Sequence, residues 1–162
     1  MPGLELRQAI SLREGGDLEE TESLLSRVLV ELPDDAEANY QMACICDLQG
    51  REREALPYYS KTIAEGIAGE ARVSAFLGLG SSHRALGEYA EAVEVLRRGV
   101  SEFPGERAMQ VFLSVALYNA GKHRESVETL LRNLIETTSD AGIKSYKEAL
   151  DFYSSRLDET WS

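Results

Sequence analysis

Few residues in the chain could do chemistry. The cysteines stand together as Cys44-Ile45-Cys46, the histidines are His83 and His123, and the acidic pairs include Glu19/Glu20 and Asp34/Asp35. A cysteine pair could bind a metal or form a disulfide. On a helix, however, residues two apart point about 200° away from each other, so a local disulfide would be strained. A metal site needs further ligands close by, and the only histidines lie far along the chain. The pair therefore reads as two small apolar core residues in a reducing compartment. The acidic pairs fall at predicted helix starts, where carboxylates meet the positive end of the helix dipole. Neither histidine has an evident nucleophile partner. The chain has no Gly-rich phosphate loop, no His–Glu zinc signature and no Gly-x-Ser-x-Gly elbow. The expectation is a protein that is not an enzyme, with no metal and no cofactor.

Composition narrows the class further. With 162 residues, 43% hydrophobic and 28% charged, the chain is long enough for one domain with a sizeable core or for a short repeat array. No apolar run reaches the roughly 20 residues of a membrane-spanning helix, and "MPGLELRQAISLREGG" lacks the basic region and apolar core of a signal peptide. A cytoplasmic location without membrane contact is expected. The net charge is −11, and 10 acidic against 3 basic residues between Met1 and Glu37 supply −7 of it. Nucleic-acid binding needs clustered Lys and Arg to neutralise phosphates, so this balance argues against it.

The elements that position these residues emerge from an internal repeat. Gly16, Gly50, Gly87 and Gly121 follow one another at spacings of 34, 37 and 34. Five residues after each comes a small residue (Thr21, Ala55, Ala92, Ser126), and nine after comes a large one (Leu25, Tyr59, Leu96, Leu130). Thirteen after comes an aliphatic one (Leu29, Ile63, Val100, Leu134), and seven before comes another small one (Ala9, Ala43, Gly80, Ser114). Residues 5, 9 and 13 after the glycine share one helix face. Small side chains let two antiparallel helices approach closely, while large ones fill the gap to the next pair. The glycine ends the first helix of each pair in a left-handed turn, and Pro33 and Pro104 stop the second.

The predicted helices are 4–14, 18–32, 36–49, 53–65, 71–86, 89–102, 107–120, 123–137 and 142–158. Pro57 falls just past the first turn of the fourth, where it removes a donor and crowds the carbonyl four residues back, so a late start or a kink is expected. Three extra residues between the second and third repeats belong to "EGIAGEA", a longer loop with Gly66 and Gly69. In the tail, Ile143, Tyr146, Leu150, Tyr153 and Leu157 recur at spacings of three and four, marking one more amphipathic helix that Asp140 can cap. Such a helix could cover the edge of the fourth repeat, fold back, or use Trp161 and the tyrosines for self-association.

This pattern resembles the tetratricopeptide repeat family, and the chain is similar to its small stand-alone bacterial members. The third repeat carries the likeness best, with Phe76, Leu79, Gly80, Gly87, Tyr89, Ala92, Leu96 and Pro104 at the family's signature positions. The first departs from it with Glu5 and Gln8 in place of a large apolar pair, and Ile67 and Thr138 replace the closing proline of the second and fourth. The resemblance implies an all-α, right-handed superhelical solenoid of about four helix–turn–helix repeats, approximately 2–35, 36–70, 71–106 and 107–140. A capping helix over 141–160 completes one domain.

In this family the first helix of each pair lines a concave groove that takes peptides. Carried over, the resemblance assigns the groove to Leu6, Ile10 and Arg13, to Tyr40, Cys44 and Asp47, to Leu77, Ser81 and Arg84, and to Val111, Val115 and Tyr118. Members that grip the acidic C-termini of heat-shock chaperones use Lys, Arg and Asn there. Here Leu6 and Ile10 hold the first of those places, so that ligand is not expected. The lining suits an amphipathic helix or apolar peptide of a partner protein, with Arg13 and Arg84 able to pair with its acidic residues. Some of these side chains could instead pack between helices and bind nothing. The implied function is a non-catalytic adaptor; the alternative is a structural repeat protein that forms homo-oligomers through its terminal helices.

Overall fold

A computed structural model describes residues 1–161 of the chain. Among the described residues every regular element is a helix: α1 (Pro2–Glu14), α2 (Leu18–Glu31), α3 (Ala36–Leu48), α4 (Glu52–Ala64), α5 (Gly69–Ala85), α6 (Tyr89–Glu102), α7 (Arg107–Asn119), α8 (His123–Thr137), α9 (Ala141–Ser145) and α10 (Lys147–Ser154). Asp17, Asp35 and Asp140 cap α2, α3 and α9, each accepting from the backbone N–H three residues on, which satisfies donors that a helix start leaves unpaired.

The four repeat glycines do what their spacing requires. Gly16, Gly50, Gly87 and Gly121 have φ between 69° and 86°, where a Cβ would be strained. Each sits in the same pair of closing bonds. At Gly50, for example, the N–H of Arg51 bonds to the Cys46 carbonyl at 2.8 Å and that of Gly50 to Asp47 at 3.0 Å. This double closure reverses the chain within two residues. At the far end of two pairs a side-chain amide takes over: Asn39 donates to the Pro33 carbonyl at 3.0 Å and Gln110 to that of Pro104 at 2.9 Å. In the longer loop Arg72 does this work, donating to the carbonyls of Ile63 and Ile67.

The chain forms two units, Met1–Glu88 and the residues from Tyr89 onward. In the first, α1 to α4 make two antiparallel pairs, and α5 lies against α3 and α4. Its core contains Ala9, Leu24, Leu25, Val28, Met42, Ala43, Ile45, Tyr59, Phe76 and Leu79. In the second, α7 packs between α6 and α8, and α10 packs on α8; Val93, Leu96, Met109, Leu113, Leu117 and Ile135 are buried there. All eight small residues of the repeat pattern are buried. The large positions are covered only in the first three repeats, and Leu130 and Leu134 of α8 remain 41% and 43% exposed.

Two expectations differ from the structure. Pro57 neither delays α4 nor interrupts it: the helix runs from Glu52 through the proline to Ala64. The one bond lost is to the carbonyl of Arg53, and both residues lie in solvent, where water replaces the missing donor. The tail, predicted as one helix over 142–158, is two. It breaks at Tyr146 (φ −104°, ψ 14°), next to Ser145, whose hydroxyl bonds to the Gly142 carbonyl at 2.7 Å and so competes with continued helical bonding.

Candidate functional site

Within the first unit, α1, α3 and α5 are the first helices of their pairs, and α3 touches both of the others. The residues assigned to the groove there are Leu6, Ile10 and Arg13 on α1, Tyr40, Cys44 and Asp47 on α3, and Leu77, Ser81 and Arg84 on α5. All nine are half-buried.

Asp47 is fully engaged. Its Oδ2 accepts from the Tyr59 hydroxyl at 2.6 Å and its Oδ1 from Ser82 at 3.1 Å, so one carboxylate ties α3 to both α4 and α5. Tyr59 can lie there only because position 78 is a glycine, since a Cβ on Gly78 would fall 2.3 Å from the ring carbon Cζ. Tyr40 lies near Ser74 of α5, and the Cys44 thiol lies near Tyr40 and Tyr59. The residues of this network outside the groove assignment are Tyr59, Ser74, Gly78 and Ser82. The one signal for them in the sequence is that the only repeat with a tyrosine nine residues after its glycine is followed by a helix with a glycine at position 78.

Burial sets the protonation of this cluster. It is the main cause that holds the Tyr59 phenol far above its ordinary value, followed by the nearby Cys44 and the bond to Asp47. Burial likewise raises Tyr40, Cys44 and Cys46. Both cysteines are free, and a raised thiol is a poor nucleophile at neutral pH. Among the described residues, no three of His, Cys, Asp and Glu stand together as metal ligands. His83 gives its Nδ1 hydrogen bond to Glu88 at 2.7 Å, and Glu88 also pairs with Arg53 at 2.5 Å, so this histidine serves a turn.

The two arginines of the face behave differently from their neighbours. Three arginines of the first unit pair with acids, in Arg27–Glu5, Arg51–Glu22 and Arg53–Glu88. Arg13 and Arg84 have no ion pair among the described residues, and the Nε of Arg13 is buried without a hydrogen-bond partner. In the second unit, the assigned Val111, Val115 and Tyr118 lie along one side of α7, 38%, 41% and 59% exposed, with Tyr118 against the ring of His123 at 4.8 Å. No helix among the described residues is long and apolar enough to cross a membrane.

Comparison with known proteins gives the same architecture. No curated protein matches the chain in sequence. Among solved structures it is similar to YrrB, described as a TPR protein with an unusual peptide-binding site, at 17% identity and a TM-score of 0.74 over 96% of this chain and 78% of that one. It is similar to MamA from Desulfovibrio magneticus RS-1 at 15% identity and a TM-score of 0.75, covering 96% and 88%. A variant of the O-GlcNAc transferase from Thermobaculum terrenum matches at 20% identity and a TM-score of 0.69 over 83% of this chain but only 26% of that protein. At these identities the likeness shows the fold, the all-α tetratricopeptide solenoid. A family model for the tetratrico peptide repeat matches residues 36–157. On its repeats, its turns and this match, the chain belongs to the tetratricopeptide repeat family.

Proposed function

We propose that the protein is a non-catalytic interaction module whose first unit binds a peptide or helix of a partner protein against α1, α3 and α5. One observation carries this reading: Arg13 and Arg84 stand half-buried on a mostly apolar face without an ion pair among the described residues, and the carboxylate of that face, Asp47, is taken by Tyr59 and Ser82. A partly desolvated guanidinium is costly without an anionic partner, and Arg offers a planar fork that suits a carboxylate. A segment with apolar side chains and one or two acids would supply both, setting the apolar groups on Leu6, Ile10, Tyr40 and Leu77 and the acids on the arginines. Cys44 and Ser81 are small enough to let it approach. Asp47 faces the same side but is committed to Tyr59 and Ser82, so it supports the face without contacting the ligand. The family's role as a non-catalytic scaffold and the peptide-binding description of YrrB support this reading.

The test is capture from a lysate of the source organism with the wild-type chain beside a Tyr40→Ala, Arg84→Glu variant of equal helicity. A protein retained by the wild type and released by the variant is the expected result. Equal retention, or none by either, would overturn the proposal.

A further inference from the structure

The two units contain the same surface twice, once covered and once bare. In the first unit α5 lies against α3 and α4, with Ser74 beside Tyr40, Gly78 against Tyr59, Ser82 on Asp47 and Arg72 on the Ile63 carbonyl; Tyr59 and Ile63 are buried there, while Tyr40, Cys44, Asp47 and Leu56 are half-buried. Exactly 71 residues later in every case, α7 and α8 carry Val111, Val115 and Tyr118, then Val127, Leu130 and Leu134. Tyr59 and Ile63 are 4% and 7% exposed; their counterparts Leu130 and Leu134 are 41% and 43% exposed.

The chain's own tail does not fill this seat. Arg124 of α8 holds the Ser155 carbonyl at 2.8 Å, and the cleft between α8 and α10 is lined by Arg132, Ile135, Glu136, Lys147, Glu148 and Asp151. The tail therefore runs along another flank of α8. The side chain buried there, Ile135, replaces an alanine, Ala64, that is exposed at the same place on α4.

We propose that this seat pairs with the same seat of a second copy, giving a two-fold, tail-to-tail dimer of the chain. Area favours it. The six seat residues and the adjoining Phe112 are 38–59% exposed, a patch of the several hundred Å² that is the most a monomer usually shows and that approaches the about 800 Å² per partner in a standard interface. Charge favours it as well: the seven residues are uncharged, in a chain whose net charge is −11, so pairing through them sets no like charges against each other. Head-to-tail stacking is disfavoured by α1. Where α5 presents Ala75, Gly78, Leu79 and Ser82 to such a seat, α1 offers Leu4, Arg7, Gln8 and Ser11, all exposed, so docking there would bury a charge and an amide. A two-fold contact closes on itself, whereas a head-to-tail one would continue into a filament. This inference stands apart from the partner-binding face of the first unit.

Sedimentation equilibrium of the full chain over a wide concentration range tests it, beside a Leu130→Glu, Leu134→Glu variant and a separate Val115→Glu variant. These positions are about 40% exposed, so each variant should keep the helicity of the wild type. The expected result is a wild-type species reaching twice the 17.9 kDa chain mass and no larger, with association weakened at least a hundredfold in both variants. A wild type that stays monomeric up to its solubility limit overturns the proposal and leaves the seat to a helix of another protein. Assemblies beyond two copies, or variants that pair as well as the wild type, overturn it too. The Tyr40→Ala, Arg84→Glu variant keeps the dimer in either case, which separates this test from the capture experiment.

Discussion

At the scale of single residues, the tie between Gly78, Tyr59 and Asp47 makes the clearest demand. A glycine inside a helix costs about 0.5–1 kcal/mol relative to alanine, so Gly78→Ala would stabilise α5 if the site had room. It has none: the added carbon meets Tyr59 at 2.3 Å, and the ring is buried and held by Asp47 at 2.6 Å. Gly78→Ala is therefore expected to destabilise the chain by about 1–3 kcal/mol in urea unfolding, the range for overpacking a filled site. Combined with Tyr59→Leu it should cost much less than the sum of the two single changes. Additive costs would show that the two residues do not clash. Tyr59 was legible in the sequence as a large residue facing the next helix, because its spacing from Gly50 matches that of Leu25 and Leu96 from their glycines. The role of Asp47 was not legible: a period places a residue on a face but cannot tell whether a neighbour's hydroxyl will claim its carboxylate. Arg13 and Arg84 lie within α1 and α5, inside the helices predicted over 4–14 and 71–86.

At the scale of elements, Glu88 fastens the turn after α5 to α4. His83 is the largest influence and Arg53 the next in holding its carboxyl below the ordinary range. A carboxylate whose folded-state pKa is depressed contributes stability that is fully present above its unfolded value and is lost as pH falls through the folded one. With an unfolded value of about 4.3, that contribution is intact at neutral pH, begins to fall as pH approaches that value and is lost as pH drops through the lower folded one. Glu88→Gln should thus lower the melting temperature slightly at pH 7 and flatten the acid end of the stability curve. An acid limb as steep as the wild type's would assign the loss to other carboxylates. Helix boundaries were largely legible because turn chemistry marks them: the glycines that reverse the chain and the aspartates that start helices are local signals. The two departures arise where the outcome depends on surroundings. Pro57 is tolerated because its orphaned carbonyl faces water. The tail splits at Tyr146 because a serine hydroxyl competes for a carbonyl, whereas the apolar period of three and four runs through the break undisturbed.

At the scale of the whole molecule, repeat count and fold class followed from one period, whereas the bare edge did not. Leu130 and Leu134 fit the packing pattern as well as Leu25 and Leu29 do, and only the placement of α10 leaves them uncovered. Pairing of two chains that each carry −11 is opposed by long-range repulsion, which salt screens over about 30 Å at 0.01 M and about 8 Å at 0.15 M. Dimerisation through an uncharged seat is therefore expected to tighten severalfold across that range, read from sedimentation at each salt concentration. Weakening with salt would mean that ion pairs, rather than apolar contact, hold the copies together. The burial that raises the thiols of Cys44 and Cys46 has a practical consequence for such work. Both native cysteines are expected to react slowly with maleimides and disulfide reagents at neutral pH, a property that thiol titration of the folded chain checks, so the natural chain would serve as a quiet background. A single cysteine introduced on an exposed loop takes a dye or spin label selectively, and the distance between two labelled copies can be read without removing either native thiol.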